Sequence, residues 1–226
     1  MLPISDLVFA ECQNSACRLR FPLDLAQFSG KYCPKCGAEL KITDKRLAQN
    51  ADVLASLNPQ NNRQLIGLLD NVRSALNVGA VFRSADGAGL AKLYLCGITP
   101  TPNEQEAVAR TALGSEKHLA WEHANNAVIL SKSLLDTGSK LIVLEGVEDA
   151  QDLFSWHIPA HWESIVLAVG NEIAGTDPKL LHLASQTLRL PMVGVKGSLN
   201  VASAFSIAAY QLQFGQSGQT SPLKNQ

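Results

Sequence analysis

Five short apolar runs set the strongest limit on the fold: "LIGLLDN" (65–71), "KLYLCG" (92–97), "KLIVLEG" (140–146), "SIVLAVG" (164–170) and "TLRLPM" (187–192), with "HLAWEH" (118–123) a weaker sixth. None alternates apolar with polar residues, so each reads as a strand covered on both faces rather than one with a solvated side. Helical stretches separate them. That alternation predicts βαβ units and an α/β body with a mostly parallel sheet. Several runs end in Gly or Asn, where the chain turns at the carboxyl edge of the sheet, the edge at which open α/β sheets bind ligands. A hydrophobic content of 46% over 226 residues is enough to fill such a core.

The formal net charge is −1. A chain so nearly neutral exerts no global pull on polyanions, so a nucleic-acid site has to be a local patch. No run approaches 18 consecutive apolar residues, and "MLPISDLVFAEC" lacks the charged start and apolar stretch of a signal peptide. The expectation is a cytoplasmic protein that makes no use of a membrane.

Cys12, Cys17, Cys33 and Cys36 crowd the first 36 residues as Cys-x4-Cys and, inside "YCPKCGAEL", Cys-x2-Cys. Two such thiolate-bearing turns predict a small zinc-ribbon-like domain over 1–45 with one structural Zn2+. A reducing compartment disfavours disulfides, and no βαβ pattern surrounds the pair to suggest a redox motif. Four sulfurs leave no position for water, so the metal holds the fold and does no chemistry. Arg18, Arg20, Lys31, Lys35, Lys41, Lys45 and Arg46 outnumber Asp6, Glu11, Asp24, Glu39 and Asp44 there, which makes this head the most basic patch of the chain, suited to RNA or a protein partner. Cys96 in "LYLCG" reads as a buried core thiol. A linker helix is expected over 46–64, the α/β domain over 65–215 and a disordered tail over 216–226, where Gln, Ser and Gly predominate.

Three polar stretches interrupt this apolar body. In "DNVRSALNVGAVFRSADGAG" Asn77 stands as an N-cap, and Arg83 lies six residues into the helix among Val81, Phe82 and Ala85. In "LAVGNEIAGTDPKLL" a strand delivers Gly170, Asn171 and Glu172 onto a loop closed by Gly175, and Thr176 or Asp177 caps a helix with Pro178 at its first position. In "VGVKGSLNVASAFSIAAYQL" Ser198 is placed as an N-cap, with Asn200 in the first turn. Polar atoms at such a helix start suit an anion. No phosphate-binding P-loop, dinucleotide fingerprint or serine-hydrolase elbow is present, and the five histidines show no metalloprotease pairing.

Taken together and in this order, the three stretches resemble motifs 1, 2 and 3 of the SpoU (TrmH-like) branch of the SPOUT RNA methyltransferases, over about two thirds of the chain. The resemblance implies a C-terminal deep trefoil knot, an exception to the rule against threaded chains. It also implies a homodimer, S-adenosylmethionine as methyl donor, and transfer to a ribose 2′-hydroxyl of tRNA or rRNA. By the same resemblance Leu144, Gly146, Gly170, Leu190, Met192, Ser198 and Leu199 would bind the cofactor, and Arg83, Asn77, Glu172, Ser198 and Asn200 would form the catalytic set. Arginine stays protonated in proteins, so Arg83 is assigned to charge stabilisation of the developing alkoxide rather than to proton abstraction. The family's usual small α/β RNA-binding extension is replaced here by the cysteine-bearing head. Two other readings are a non-catalytic RNA-binding or assembly factor that keeps the knot, and a base methyltransferase. Retention of the whole polar set speaks against the first, and the second would use a different polar set.

Overall fold

The computed structural model describes residues 7–45 and 63–215. The chain divides into two compact units, Met1–Asn58 and Pro59–Gln226. The tail expected over 216–226 lies outside the described residues, as does the linker helix expected over 46–64 except for its last two residues.

In the first unit three antiparallel strands, β1 (Leu7–Cys12), β2 (Arg20–Asp24) and β3 (Leu40–Lys45), form a sheet in the order β2-β1-β3. Its core is three buried residues, Val8, Ala10 and Leu23, with Phe21 and Leu40 packed against them. A core this small cannot by itself offset the ordering entropy of the segment.

In the second unit the apolar runs form β4 (Gln64–Asp70), β5 (Lys92–Cys96), β6 (Trp121–Ala124), β7 (Lys140–Leu144), β9 (Ser164–Val169) and β10 (Gln186–Arg189). A two-residue strand, β8 (Gln151–Asp152), carries no apolar run to announce it. The sheet order is β6-β5-β4-β9-β7-β10-β8, and every neighbouring pair is parallel, as expected. Successive side chains of β4 serve opposite faces. Leu65 and Leu69 join one cluster with α1 (Ala75–Gly87), α2 (Glu106–Ala112) and α5 (Val201–Phe214). Ile66 and Leu68 join a second cluster with α3 (Ala127–Asp136) and α4 (Pro178–Leu183). No helix is long and apolar enough to cross a membrane among the described residues.

Two close approaches explain glycines in this core. A Cβ on Gly67 would meet Leu93 Cδ1 at 2.6 Å and the fully buried Phe205 ring at 3.0 Å, so α5 is seated directly on β4. A Cβ on Gly79 would strike Thr111 and the backbone of Val108, so α1 and α2 pack with almost no gap.

Two helix starts differ from the sequence reading. The N-cap of α1 is Ser74, whose hydroxyl accepts from the amide of Asn77, so Asn77 lies inside the first turn. The N-cap of α5 is Asn200 rather than Ser198; its Oδ1 accepts from Ala202 N at 2.9 Å and Ser203 N at 3.3 Å. Between the two alternatives for α4 the cap is Asp177, bonded to the amide of Lys179, with Pro178 at the first helical position.

Candidate active site

Because β4, β9, β7 and β10 are adjacent and parallel, their carboxyl ends open onto one edge, and the loops that leave them meet there. They enclose a pocket of about 840 Å³ lined by Arg73 and Asn77 after β4, Gly170 to Ile173 after β9, Glu145 and Gly146 after β7, and Leu190 to Val201 in part after β10. The volume is ample for a nucleoside-sized ligand.

Glu172 ties two of these segments together, and Asn77 brings in a third. Its carboxylate accepts from Arg73 N at 2.8 Å, Ser74 N at 3.1 Å and Asn77 Nδ2 at 3.0 Å. Asn77 Oδ1 in turn accepts from Asn200 Nδ2 at 3.0 Å. Residues from motifs 1, 2 and 3 are thereby joined in one chain of hydrogen bonds. Burial works to raise the pKa of Glu172, but the amide of Arg73 and the other donors outweigh it, and the carboxyl titrates below its ordinary range.

The loop bearing Glu172 is fixed from below. Asn171 Oδ1 accepts from Ile173 N and Ala174 N, each at 2.9 Å, and its Nδ2 donates to Asn71 O at 2.7 Å. Glu145 Oε2 accepts from Thr176 N at 2.9 Å and Thr176 Oγ1 at 3.0 Å, which spends Thr176 on the loop base and leaves the cap of α4 to Asp177. Asp70, buried at the end of β4, accepts from Asn71 Nδ2 at 2.7 Å and Asp177 N at 3.3 Å, and burial pushes its pKa up.

Of the residues singled out in the sequence, Leu144, Gly146, Gly170, Leu190, Met192, Ser198 and Leu199 all line the pocket, as do Asn77, Glu172 and Asn200. Arg83 does not: it is exposed on α1 and takes no part in the hydrogen-bond chain. Six residues along a helix turn the side chain well away from the face that carries Asn77. Sequence reasoning missed Arg73, Arg189 and Glu145, which also line the pocket. Their signal is positional: each is a charged residue at or just past the carboxyl end of an apolar strand.

A Cβ on Gly170 would collide with backbone atoms of Thr176 and Gly175, where nothing flexible can yield. Gly170→Ala is therefore expected to displace the Asn171–Glu172 loop and to weaken S-adenosylmethionine binding at least about tenfold, read by calorimetric titration, while the cooperative unfolding of the body is retained.

The four cysteines of the first unit converge. Their Sγ atoms all lie within 4.8 Å of one another, with Cys12–Cys36 at 3.4 Å and Cys17–Cys33 at 3.9 Å, and none is disulfide-bonded. Tetrahedral zinc with Zn–S bonds of about 2.3 Å places its sulfurs about 3.8 Å apart, so the set fits the ion. The thiols also show why a cation belongs there. Burial raises Cys33, yet the amides of Cys36 and Lys35 win and bring it to about 7, whereas burial among the other sulfurs pushes Cys12 up to about 12. All four can be thiolates together only with a metal to offset their charge.

Comparison with known proteins agrees with this geometry. The model of the SpoU rRNA Methylase family matches residues 64–210. A tRNA (guanosine(18)-2′-O)-methyltransferase of Aquifex aeolicus is 27% identical over 175 residues, 77% of this chain and 79% of that protein. A 23S rRNA (guanosine(2553)-2′-O)-methyltransferase of Bacillus subtilis is 32% identical over 146 residues, 65% of this chain and 56% of its own length. Among solved structures, the A. aeolicus TrmH/SpoU tRNA modifying enzyme superposes with a TM-score of 0.60 at 26% identity, covering 69% of this chain and 77% of that one. An AdoMet bound rRNA methyltransferase from Sinorhizobium meliloti gives 0.60 at 26% identity, over 79% and 65%. A family model that spans nearly all of the second unit, from the start of β4 into α5, leaves one conclusion: this chain belongs to the SpoU rRNA methylase family.

Proposed function

We propose that the protein is an S-adenosylmethionine-dependent methyltransferase that modifies a ribose 2′-hydroxyl of tRNA or rRNA, as a cytoplasmic homodimer without membrane attachment. The observation that carries this reading is the hydrogen-bond chain Asn200–Asn77–Glu172, which joins the three motif loops around one pocket. S-adenosylmethionine supplies an electrophilic methyl group on a sulfonium. The residues of the chain then have three tasks: to seat the donor, to align the ribose oxygen for in-line attack, and to support the charge that develops on that oxygen.

Seating falls to backbone groups at Gly146, Gly170 and Leu190 to Leu199, beside apolar surface from Leu144, Leu190, Met192 and Leu199. Glu172 stays ionised and holds Asn77, which fixes Asn200 at the head of α5. Ser198, Arg73 and Arg189 face the same space and are the polar groups assigned to RNA phosphate. The family's trefoil knot belongs to this reading too. It is supported by the sheet order, in which β10 lies between β7 and β8, so that the connection from Leu144 to Gln151 spans the carboxyl end of β10.

Arg83 stands outside the pocket of its own chain, so its role on the alkoxide requires a second copy to complete the site. Arg83→Ala is expected to keep the affinity for S-adenosylmethionine within about twofold and to lower kcat by at least about 100-fold. Mixed dimers of Arg83→Ala with Glu172→Ala then regain about a quarter to a half of wild-type turnover if the site is shared between copies. No regain, with both homodimers inactive, would place Arg83 on its own chain's chemistry or on structure.

A further inference from the structure

Among the described residues of the first unit, Phe9, Leu25, Phe28, Tyr32 and Ile42 are exposed large apolar side chains. Phe28 is 60% exposed and Tyr32 66% exposed, while the buried core is Val8, Ala10, Leu23 and the two inner cysteines. Both rings border a groove of about 450 Å³ whose floor is Phe21, Leu23 and Leu40. Neither ring meets another aromatic ring or a cation among the described residues, and the Tyr32 hydroxyl has no hydrogen-bond partner there. Leaving a side chain of this size in water forfeits about 1.5–3 kcal/mol of burial, which a unit with so small a core can least spare.

The backbone holds these rings in place. Gly30 reverses the chain between them at φ +66°, and a Cβ there would meet Leu23 Cδ2 at 2.9 Å, so the turn lies tight on the groove floor. Tyr32 bridges Glu39, Lys31 O accepts from Leu40 N at 3.0 Å, and Cys33 N donates to Ala38 O at 2.8 Å. The tyrosine is thus anchored beside a metal ligand and is not a frayed loop residue.

Ion pairing and turn contacts among the described residues of this unit leave more cations than carboxylates without a partner, and of these cations Lys31 lines the groove. Arg20 takes up Glu11 at 3.3 Å and Asp44 at 2.6 Å. Asp24 is spent on its own turn, accepting from Ala26 N at 3.0 Å and Gln27 Nε2 at 2.9 Å. Among the described residues of this unit Arg18, Lys31, Lys35, Lys41 and Lys45 have no ion pair, and Glu39 is the one carboxylate left uncommitted. A zinc tetrathiolate adds two net negative charges, which offsets the formal excess of two over the described residues of the unit, so attraction for an anion is local and comes from Lys31 on the groove. Lys31 on the groove itself disfavours a cationic ligand despite the aromatic walls. Accessible ring faces beside an unpaired lysine are what single-stranded nucleic acid requires: bases stack and a phosphate meets the ammonium group.

We propose that this groove holds unpaired bases of the RNA substrate, stacked on Phe28 and Tyr32, with Lys31 on a flanking phosphate. The proposal deepens the RNA-methyltransferase reading and rests on it for the identity of the ligand. Stacking makes the site tolerant of sequence, so it selects unpaired structure and leaves the choice of nucleotide to the pocket of the second unit.

The test uses the full-length, zinc-loaded protein and a fluorescein-labelled single-stranded RNA of about 12 nucleotides, within the span such sites cover. Phe28→Ala with Tyr32→Ala should weaken its binding about thirtyfold or more, Lys31→Ala severalfold, and Phe28→Trp little. Zinc content, melting temperature and S-adenosylmethionine affinity should match wild type, which separates a lost surface from a lost fold. Wild-type affinity in the double variant would overturn the proposal, as would a wild-type protein that ignores the single strand or prefers an acidic peptide at the same groove. If the groove binds RNA through these rings while the protein transfers no methyl group to any RNA, the catalytic reading fails and the groove stands. Methyl transfer with an unchanged KM in the double variant is the reverse.

Discussion

Glu172→Ala is expected to abolish methyl transfer, by at least about 1,000-fold in kcat/KM, with little change in the melting temperature of the second unit. Three donors converge on that carboxylate, and hydrogen bonds to a charged acceptor contribute about 1.5–3 kcal/mol each. Their loss is confined to the pocket, because Glu172 is exposed and lies outside both hydrophobic clusters. The loop can relax into water, so the effect falls on the alignment of Asn77 and Asn200 and not on global stability. Glu172→Gln should recover only a small part of the rate, since an amide accepts at one atom and points N–H groups at donors from the other.

The pH dependence follows from the sign of the shift. The folded pKa of Glu172 lies below the ordinary value of 4.5, so its contribution is fully present above that value and is lost as pH falls through the lowered folded pKa. Wild-type activity should therefore show no inflection from Glu172 between about pH 6 and 8. An acidic limb near neutrality that disappears in Glu172→Gln would contradict the hydrogen-bond assignment.

Removal of the metal should have the second large effect. With three buried core residues besides its cysteines, the first unit has little but the tetrathiolate to hold β1, β2 and β3 together. Such sites contribute about 10–16 kcal/mol of apparent binding energy, far beyond what that core supplies. Metal analysis should give about one zinc per chain, and Cys33→Ser should reduce it to near zero. The ordered signals of the first unit should then collapse while the second unit, with its own two clusters, still binds S-adenosylmethionine. Loss of RNA binding with retained cofactor binding is the expected pattern. A zinc-free protein with an intact first sheet would remove the metal from the account.

The sequence made the sheet legible because β4, β5, β7 and β9 are runs that only double coverage can satisfy. Their ends were less so. The run expected to 146 stops at Leu144 because Glu145 turns to bond Thr176, and the run expected to 192 stops at Arg189, two residues before Pro191. Helix caps were misplaced by a few residues for a related reason. Periodicity locates the apolar face of a helix, whereas Ser74 and Asn200 are chosen as caps by local backbone conformation that periodicity does not report. Asn77 and Ser198, the N-caps expected from the sequence, stand three and two residues from the caps that form, Ser74 and Asn200.

What the sequence could not show is pairing over long separations. Asn71 and Asn171 meet across 100 residues, as do Asn77 and Glu172 across 95, and nothing in the spacing of either pair announces it. Arg73, Arg189 and Glu145 were missed because single charged residues at strand ends look like ordinary surface until the strand order places those ends side by side. Arg83 shows the converse: motif likeness singled it out, and the fold sets it apart from the pocket. That separation is why the mixed-dimer experiment carries more information than the single substitution.

The central claim is methylation at the ribose, and product analysis tests it most directly. Small and ribosomal RNA from cells lacking this gene should be incubated with the protein and methyl-labelled S-adenosylmethionine, then hydrolysed in alkali. A ribose 2′-O-methyl group blocks cleavage at its own nucleotide, so label is expected in an alkali-resistant dinucleotide with wild type and none with Arg83→Ala. Label recovered in a mononucleotide would mean methylation of a base and would contradict the account.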